Sequence, residues 1–117
     1  MKDRLTKSQS ERLIELGIPK EKASVKHIEL TLEEYRVFSL VDLLSILPKE
    51  VDITLSDGSI NHAYLKILGY GDEWNASYEH YEPHQGAYTS KHKELIDCIY
   101  GLLEDGIKYK FIKTEEG

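Results

Sequence analysis

Hydrophobic and polar positions change period several times along the chain, and each change marks an element. Leu13, Ile14 and Leu16 fall on one side of a helical pattern that opens after Thr6, with Gln9 three residues on, and stops at Gly17. Thr6 and Gln9 form the reciprocal capping pattern of a helix start and glycine suits the stop, so a helix is predicted over 7–16. Pro19 is suited to open one further turn over PKEKAS. From Val25 to Leu32 the apolar Ile28, Leu30 and Leu32 alternate with His27, Glu29 and Thr31, which predicts a half-buried strand. Tyr35 to Phe38 is predicted to pair with it.

Ser39 then caps LVDLLSIL, with Asp42 at the third helical position and Pro48 closing the run. Only Asp42 and Ser45 are polar between Leu40 and Leu47, and a helix apolar nearly all round belongs inside a fold. The pattern predicts this segment as the central core element. VDITLSDGSINHAYLKILG follows, two alternating runs about Asp57-Gly58 that predict a tight hairpin. Pairing Leu55 with Ile60 sets Ile53 opposite His62 and Val51 opposite Tyr64, which puts His62 among aliphatic side chains.

A third strand over 73–81 alternates Trp74, Ala76, Tyr78 and His80 with Asn75, Ser77 and Glu79. After Ser90, Leu95, Ile96, Ile99, Leu102 and Leu103 recur at helical spacing to about Glu104, and Asp105-Gly106 is expected to end that helix. IKYKFIK is read as an edge strand guarded by lysines. With no repeat or linker in this order, the chain is expected to form a single α+β domain over 1–117. Its sheet is antiparallel, of three to five strands, with two main helices and a short N-terminal one.

Composition narrows the function classes. A 117-residue chain with 40% hydrophobic and 31% charged residues suits a soluble globular domain with a core of its own. The charged N-terminus lacks a signal-peptide pattern, and Cys98, the single cysteine, has no internal disulfide partner. A cytoplasmic location is the expectation. Residues 1–27 hold seven basic and four acidic side chains, a surplus of three positive charges, which leaves −9 for the remainder of a chain whose net charge is −6. Nucleic-acid binding therefore has support only in Lys2, Arg4, Lys7 and Arg12, and weakly. No membrane partner is expected.

Three phrases, LIELGIPKEKAS, FSLVDLLSILPKEV and ELIDCIYGLLEDG, resemble in that order a set of small uncharacterised proteins encoded by gut anaerobic bacteria and their phages or other mobile elements. The resemblance covers half of the chain and departs from it in the aromatic stretch between the second and third phrases. It implies a soluble accessory protein and supplies no catalytic residue.

Candidate chemistry concentrates in residues 69–88, which hold four tyrosines, the only tryptophan, four carboxylates and neither lysine nor arginine. Tyrosine and tryptophan suit partner surfaces, because each joins flat apolar area to a hydrogen-bonding tip. The same residues also fill ordinary sheets, with Trp74 and Tyr78 over the core and Tyr81 and Tyr88 at the surface. The candidate partner-binding residues are Trp74, Tyr78, Tyr81, Tyr88, Glu79 and Glu82, with the carboxylates favouring a basic or neutral protein, a second copy of the chain included. Such a surface repels phosphate.

A metal or small-molecule site using His80, His84 and His92, with Glu79, Glu82 and His62 as additions, is the alternative. On one strand His80 and His84 would stand roughly 13 Å apart, too far to share an ion. Neither a phosphate loop, nor a zinc-protease motif, nor a serine-hydrolase elbow is present. Cys98 reads as a small buried hydrophobe. The expectation is a non-enzymatic protein with no cofactor.

Overall fold

The computed structural model describes residues 2–28, 34–55, 57–81 and 86–113. It is an α+β fold of three helices and two antiparallel sheets. Helix α1 (Lys7–Glu15) starts as its sequence dictates: the Thr6 hydroxyl accepts from the Gln9 amide at 3.1 Å while the Gln9 side chain accepts from the Thr6 amide at 3.0 Å. A 3₁₀ turn at Lys20–Lys22 follows Pro19. Strands β1 (Val25–Ile28) and β2 (Glu34–Val37) pair as a small separate sheet. Leu30 and Thr31, predicted within the first strand, lie outside the described residues.

Helix α2 (Leu40–Ile46) also has a complete capping box, with Ser39 and Asp42 exchanging hydrogen bonds at 3.1 and 2.9 Å. Its predicted role as the central core helix is corrected by the packing. At seven residues it has two turns, and of these residues only Leu43 is buried, while Val41 is 71% exposed and Leu44 is half in solvent. So short an element has one inward face whatever its composition.

The centre belongs instead to α3 (Leu95–Lys108), which buries Ile96, Cys98, Ile99, Leu102 and Leu103 completely. It begins five residues later than Ser90, because Ser90 is in a strand. It runs past the predicted stop because Gly106 is needed inside it: a Cβ there would meet Ile112 at 2.2 Å and Phe111 at 3.1 Å. Beyond the helix the chain reverses at Lys110, φ 65°, and folds Phe111 and Ile112 back into the core. The lysine-rich tail through Ile112 is thus a helix end and a core plug rather than the predicted edge strand.

The main sheet has the order β3-β4-β5-β6, formed by β3 (Glu50–Thr54), β4 (Ile60–Tyr70), β5 (Glu73–His80) and β6 (Gly86–His92). The hairpin expected at Gly58 is present, with one correction of register. The Leu55 amide donates to the Ser59 carbonyl at 2.8 Å, the Gly58 amide donates to the Leu55 carbonyl at 2.9 Å, and Gly58 has φ +86°. This is a turn one residue longer than the predicted pair, with glycine in the left-handed position. Thr54 consequently faces Ile60, Asp52 faces His62, and Val51 faces Ala63. A one-residue slip turns every side chain over, so His62 leaves the aliphatic face for the opposite one.

Strand β6 lies in a stretch to which the sequence pattern assigns no element. Tyr88 and Thr89 are β-formers whose alternation is interrupted by a register shift opposite Tyr78/Glu79, and that irregularity hides the period. α3 packs over β5 and β6, and one hydrophobic cluster runs from Leu5 to Ile112. Among the described residues no helix is long and apolar enough to cross a membrane.

Candidate binding face of the sheet

An antiparallel sheet can leave one face in water. Here α3, α2 and the Phe111-Ile112 plug take the face formed by Val51, Ile53, Ala63, Ala76 and Tyr78. Alternation then assigns Glu50 and Asp52 of β3, His62, Tyr64 and Lys66 of β4, and Glu79 with the adjoining Tyr81 of β5 to the other face.

On that open face the side chains are organised in pairs. The rings of Tyr64 and Tyr81 lie 4.9 Å apart at 47°. The Tyr81 hydroxyl donates to Glu50 Oε1 at 2.5 Å, and this bond to a carboxylate raises the phenol above its ordinary pKa. Lys66 Nζ lies 3.0 Å from Glu79 Oε2, which raises the lysine. His62 Nδ1 and Asp52 Oδ1 are 2.5 Å apart. Glu50, His62 and Tyr81 rim a shallow depression of about 510 Å³. Glu73 and Lys91 fall on the same face by their pairing, so four carboxylates stand against two lysines and the face is acidic.

The Asp52–His62 pair has the form of an oriented base. Its side chains are 64% and 74% exposed, however, so water screens the field that makes a buried dyad potent. The arrangement suits recognition better than proton transfer.

The predicted partner-binding residues divide between the two faces. Tyr81 and Glu79 are on the open one. Tyr78 is wholly buried, donates its hydroxyl to the Pro48 carbonyl at 2.7 Å and stands 5.5 Å from the Phe111 ring, so its role is structural and it is corrected out of the surface. Burial raises its phenol far above the usual range. Trp74 lies half-buried on the covered face, its ring 3.5 Å from the place of a Cβ on Gly69. Tyr88 stacks on Phe111 at 4.4 Å and Tyr109 at 5.5 Å. Glu82 lies outside the described residues. Strand parity holds the cause: Glu79 and Tyr81 are odd positions, Trp74 and Tyr78 even ones. Tyr64 and Lys66, which the reading missed, are even positions of β4 and reach this face only in the observed register, whereas the predicted one set Tyr64 opposite Val51.

The histidines do not converge. His80 pairs with Ala63 at one end of β5, whereas His92 pairs with Trp74 at the other, roughly 20 Å away along the strand. His84 lies outside the described residues. No group of three or more His, Cys, Asp or Glu side chains among the described residues is placed to hold a metal ion. His80 is 7% exposed and its Nδ1 has no hydrogen-bond partner among the described residues.

The N-terminal cations are largely committed within the molecule. Lys2 Nζ is 2.9 Å from Asp97, Arg4 Nε is 3.5 Å from Asp3, and Arg12 reaches Glu15 at 3.6 Å and Glu104 at 3.5 Å. Lys7 lies over the Tyr35 ring at 4.8 Å, beside a depression of about 570 Å³ whose rim mixes Lys20 and Arg36 with Glu11 and Glu21. Cys98 Sγ donates to the Ser90 carbonyl at 2.9 Å, and burial pushes its thiol up, away from nucleophilic chemistry.

No family model, curated protein or solved structure matches the chain.

Proposed function

We propose that the protein is a non-catalytic interaction module that binds another protein through the open face of its main sheet. Tyr64 and Tyr81 serve as the aromatic anchors, and Glu50, Asp52 and Glu79 select a basic or neutral partner. The observation that carries this reading is the Tyr64–Tyr81 pair, held at 4.9 Å on the face of the sheet opposite α3, with Tyr81 44% exposed. Paired aromatics braced by hydrogen bonds lose little conformational entropy on docking, and a rim of one charge sign steers a complementary partner. In this proposal the module acts in the cytosol, in keeping with its single buried cysteine, and the accessory role implied by the three resembling phrases belongs to the same proposal.

The test is affinity capture from the source cells with two baits, the wild-type chain and a Tyr64→Ala/Tyr81→Ala variant of unchanged melting temperature. A basic protein retained by the first and lost by the second is the expected result. Raising the salt concentration should weaken its retention. Identical retention on both baits would remove the open face from the account.

The phosphate-binding alternative is disfavoured by the intramolecular ion pairs of Lys2, Arg4 and Arg12, each of which would have to be exchanged for a phosphate contact.

A further inference from the structure

Strand β4 has eleven residues and its neighbour β3 only five, so half of one β4 edge has no strand beside it among the described residues. The ladder shows which backbone groups this leaves open. The Leu65 amide donates to the Lys49 carbonyl at 2.8 Å, and β3 pairs with Ile60–Tyr64. Odd-numbered β4 residues therefore turn their N–H and C=O toward β3, and Lys66, Leu68 and Tyr70 turn theirs toward β5. Before Lys49 the chain lies on the covered side: the Tyr78 hydroxyl holds the Pro48 carbonyl, and Leu47 is buried. Ile67 and Gly69 thus face their peptide groups to a bare edge, flanked by Leu68, 45% exposed, and Tyr70, 79% exposed.

The other edges are guarded. Outward positions of β3 carry Glu50 and Asp52, and those of β6 carry Lys91, charges that discourage strand addition. The Ile67–Tyr70 segment has no charge.

We propose that a second copy of this chain pairs along that edge, antiparallel, with the two-fold axis at Leu68. Only this register pairs the two open residues with each other, because an axis at Ile67 would oppose Gly69 to Leu65, whose amide is already engaged, and one at Gly69 would oppose Ile67 to the turn residue Gly71. Ile67 of one copy then exchanges both backbone bonds with Gly69 of the other, and the reverse, giving about four bonds in all. The two Leu68 side chains meet across the axis on the open face, and Lys66 of each copy falls opposite Tyr70 of the other, its aliphatic stem against an exposed ring while the ammonium stays with Glu79. In this register Gly71 of one copy reaches the place beside Leu65 that Lys49 of the other already fills, so pairing ends at Tyr70 and the β4–β5 turn bends away there toward β5. The two sheets become one. A second copy rather than a foreign strand is indicated by this self-complementarity, since the bare edge is too short to hold an extended peptide by backbone bonds alone. The proposal does not depend on the open face having a partner.

Sedimentation equilibrium over a wide concentration range tests it. The wild type is expected to pass from monomer to dimer as concentration rises, and L68K and L68E each to weaken association by about tenfold or more through like charges on the axis. An equimolar mixture of the two variants should restore the dimer. Gly69→Pro removes only the outward amide, leaving the internal ladder intact, and should also give monomer. Circular dichroism establishes that each variant is folded. A wild type that stays monomeric, including one that binds extended peptides as a monomer, overturns the proposal. So does a dimer indifferent to L68K and Gly69→Pro, or variants whose mixture fails to associate.

Discussion

The two faces of the main sheet use the same residue types for opposite ends. Tyr78 and Tyr81 are three residues apart, yet one is completely buried and the other 44% exposed. Each donates its hydroxyl, Tyr78 inward to the Pro48 carbonyl and Tyr81 outward to Glu50. On the covered face the Tyr78 hydroxyl is satisfied by backbone, although His80 Nδ1 finds no partner among the described residues, and the apolar area is matched to α3. On the open face Tyr81, Lys66 and His62 are each satisfied by a neighbouring carboxylate, and the ring surfaces of Tyr64 and Tyr81 remain available to a partner. What separates a core tyrosine from a docking tyrosine here is the strand position, odd or even, and not the local composition.

The comparison is broken most severely from the covered side. Leu102→Ala removes a fully buried side chain from the helix that roofs β5 and β6. It should destabilise the fold by about 3 kcal/mol in urea unfolding, from lost transfer energy and the cavity left behind. The open face offers no position of comparable cost.

Tyr78→Phe is subtler. It keeps the ring against Phe111 and deletes the hydroxyl that caps the Pro48 carbonyl, which should cost about 1–2 kcal/mol. It should also alter the alkaline limb of the stability curve. The folded-state pKa of Tyr78 is raised by burial above its unfolded value of 10.0, so the unfolded chain releases this proton first. Its contribution is therefore complete below pH 10 and declines as pH rises beyond it. The variant should show a shallower loss of stability above pH 10 than the wild type. Equal slopes would mean that Tyr78 titrates alike in both states.

Much of the fold was legible in the sequence because local rules agreed with the tertiary outcome. Thr6/Gln9 and Ser39/Asp42 cap their helices as read, and the even-numbered apolar positions of β5 face the core. Legibility failed where a long-range contact overruled a local signal. Gly106 reads as a helix stop, but it is a helix residue chosen for its closeness to Ile112. Val41 and Leu44 read as core, although two turns of helix cannot bury a full circumference. The candidate site suffered from one residue of register. Asp57 accepts from the Ser59 amide at 2.9 Å and hydroxyl at 2.6 Å, favouring the longer turn, and the slip moved His62 to the open face opposite Asp52. The aromatic stretch drew attention by composition, whereas the surface it contributes to draws Tyr64 and Glu50 from strands before it.

Tyr81→Phe sharpens the comparison from the side where least is expected. The substitution keeps the ring against Tyr64 and removes only the hydroxyl donated to Glu50, a group already open to water. Unlike Pro48, Glu50 regains a hydrogen bond from solvent at once, so no buried acceptor is stranded. Melting temperature should be indistinguishable from wild type. The raised phenol pKa of Tyr81 adds an alkaline signature: the residue protects the fold up to its unfolded pKa of 10.0 and ceases to as pH climbs past its folded one. The ultraviolet titration of the variant should accordingly lack one late-ionising tyrosine. A loss of stability as large as that of Tyr78→Phe would show that the two faces are energetically alike, and the division between a structural and a docking face would fail.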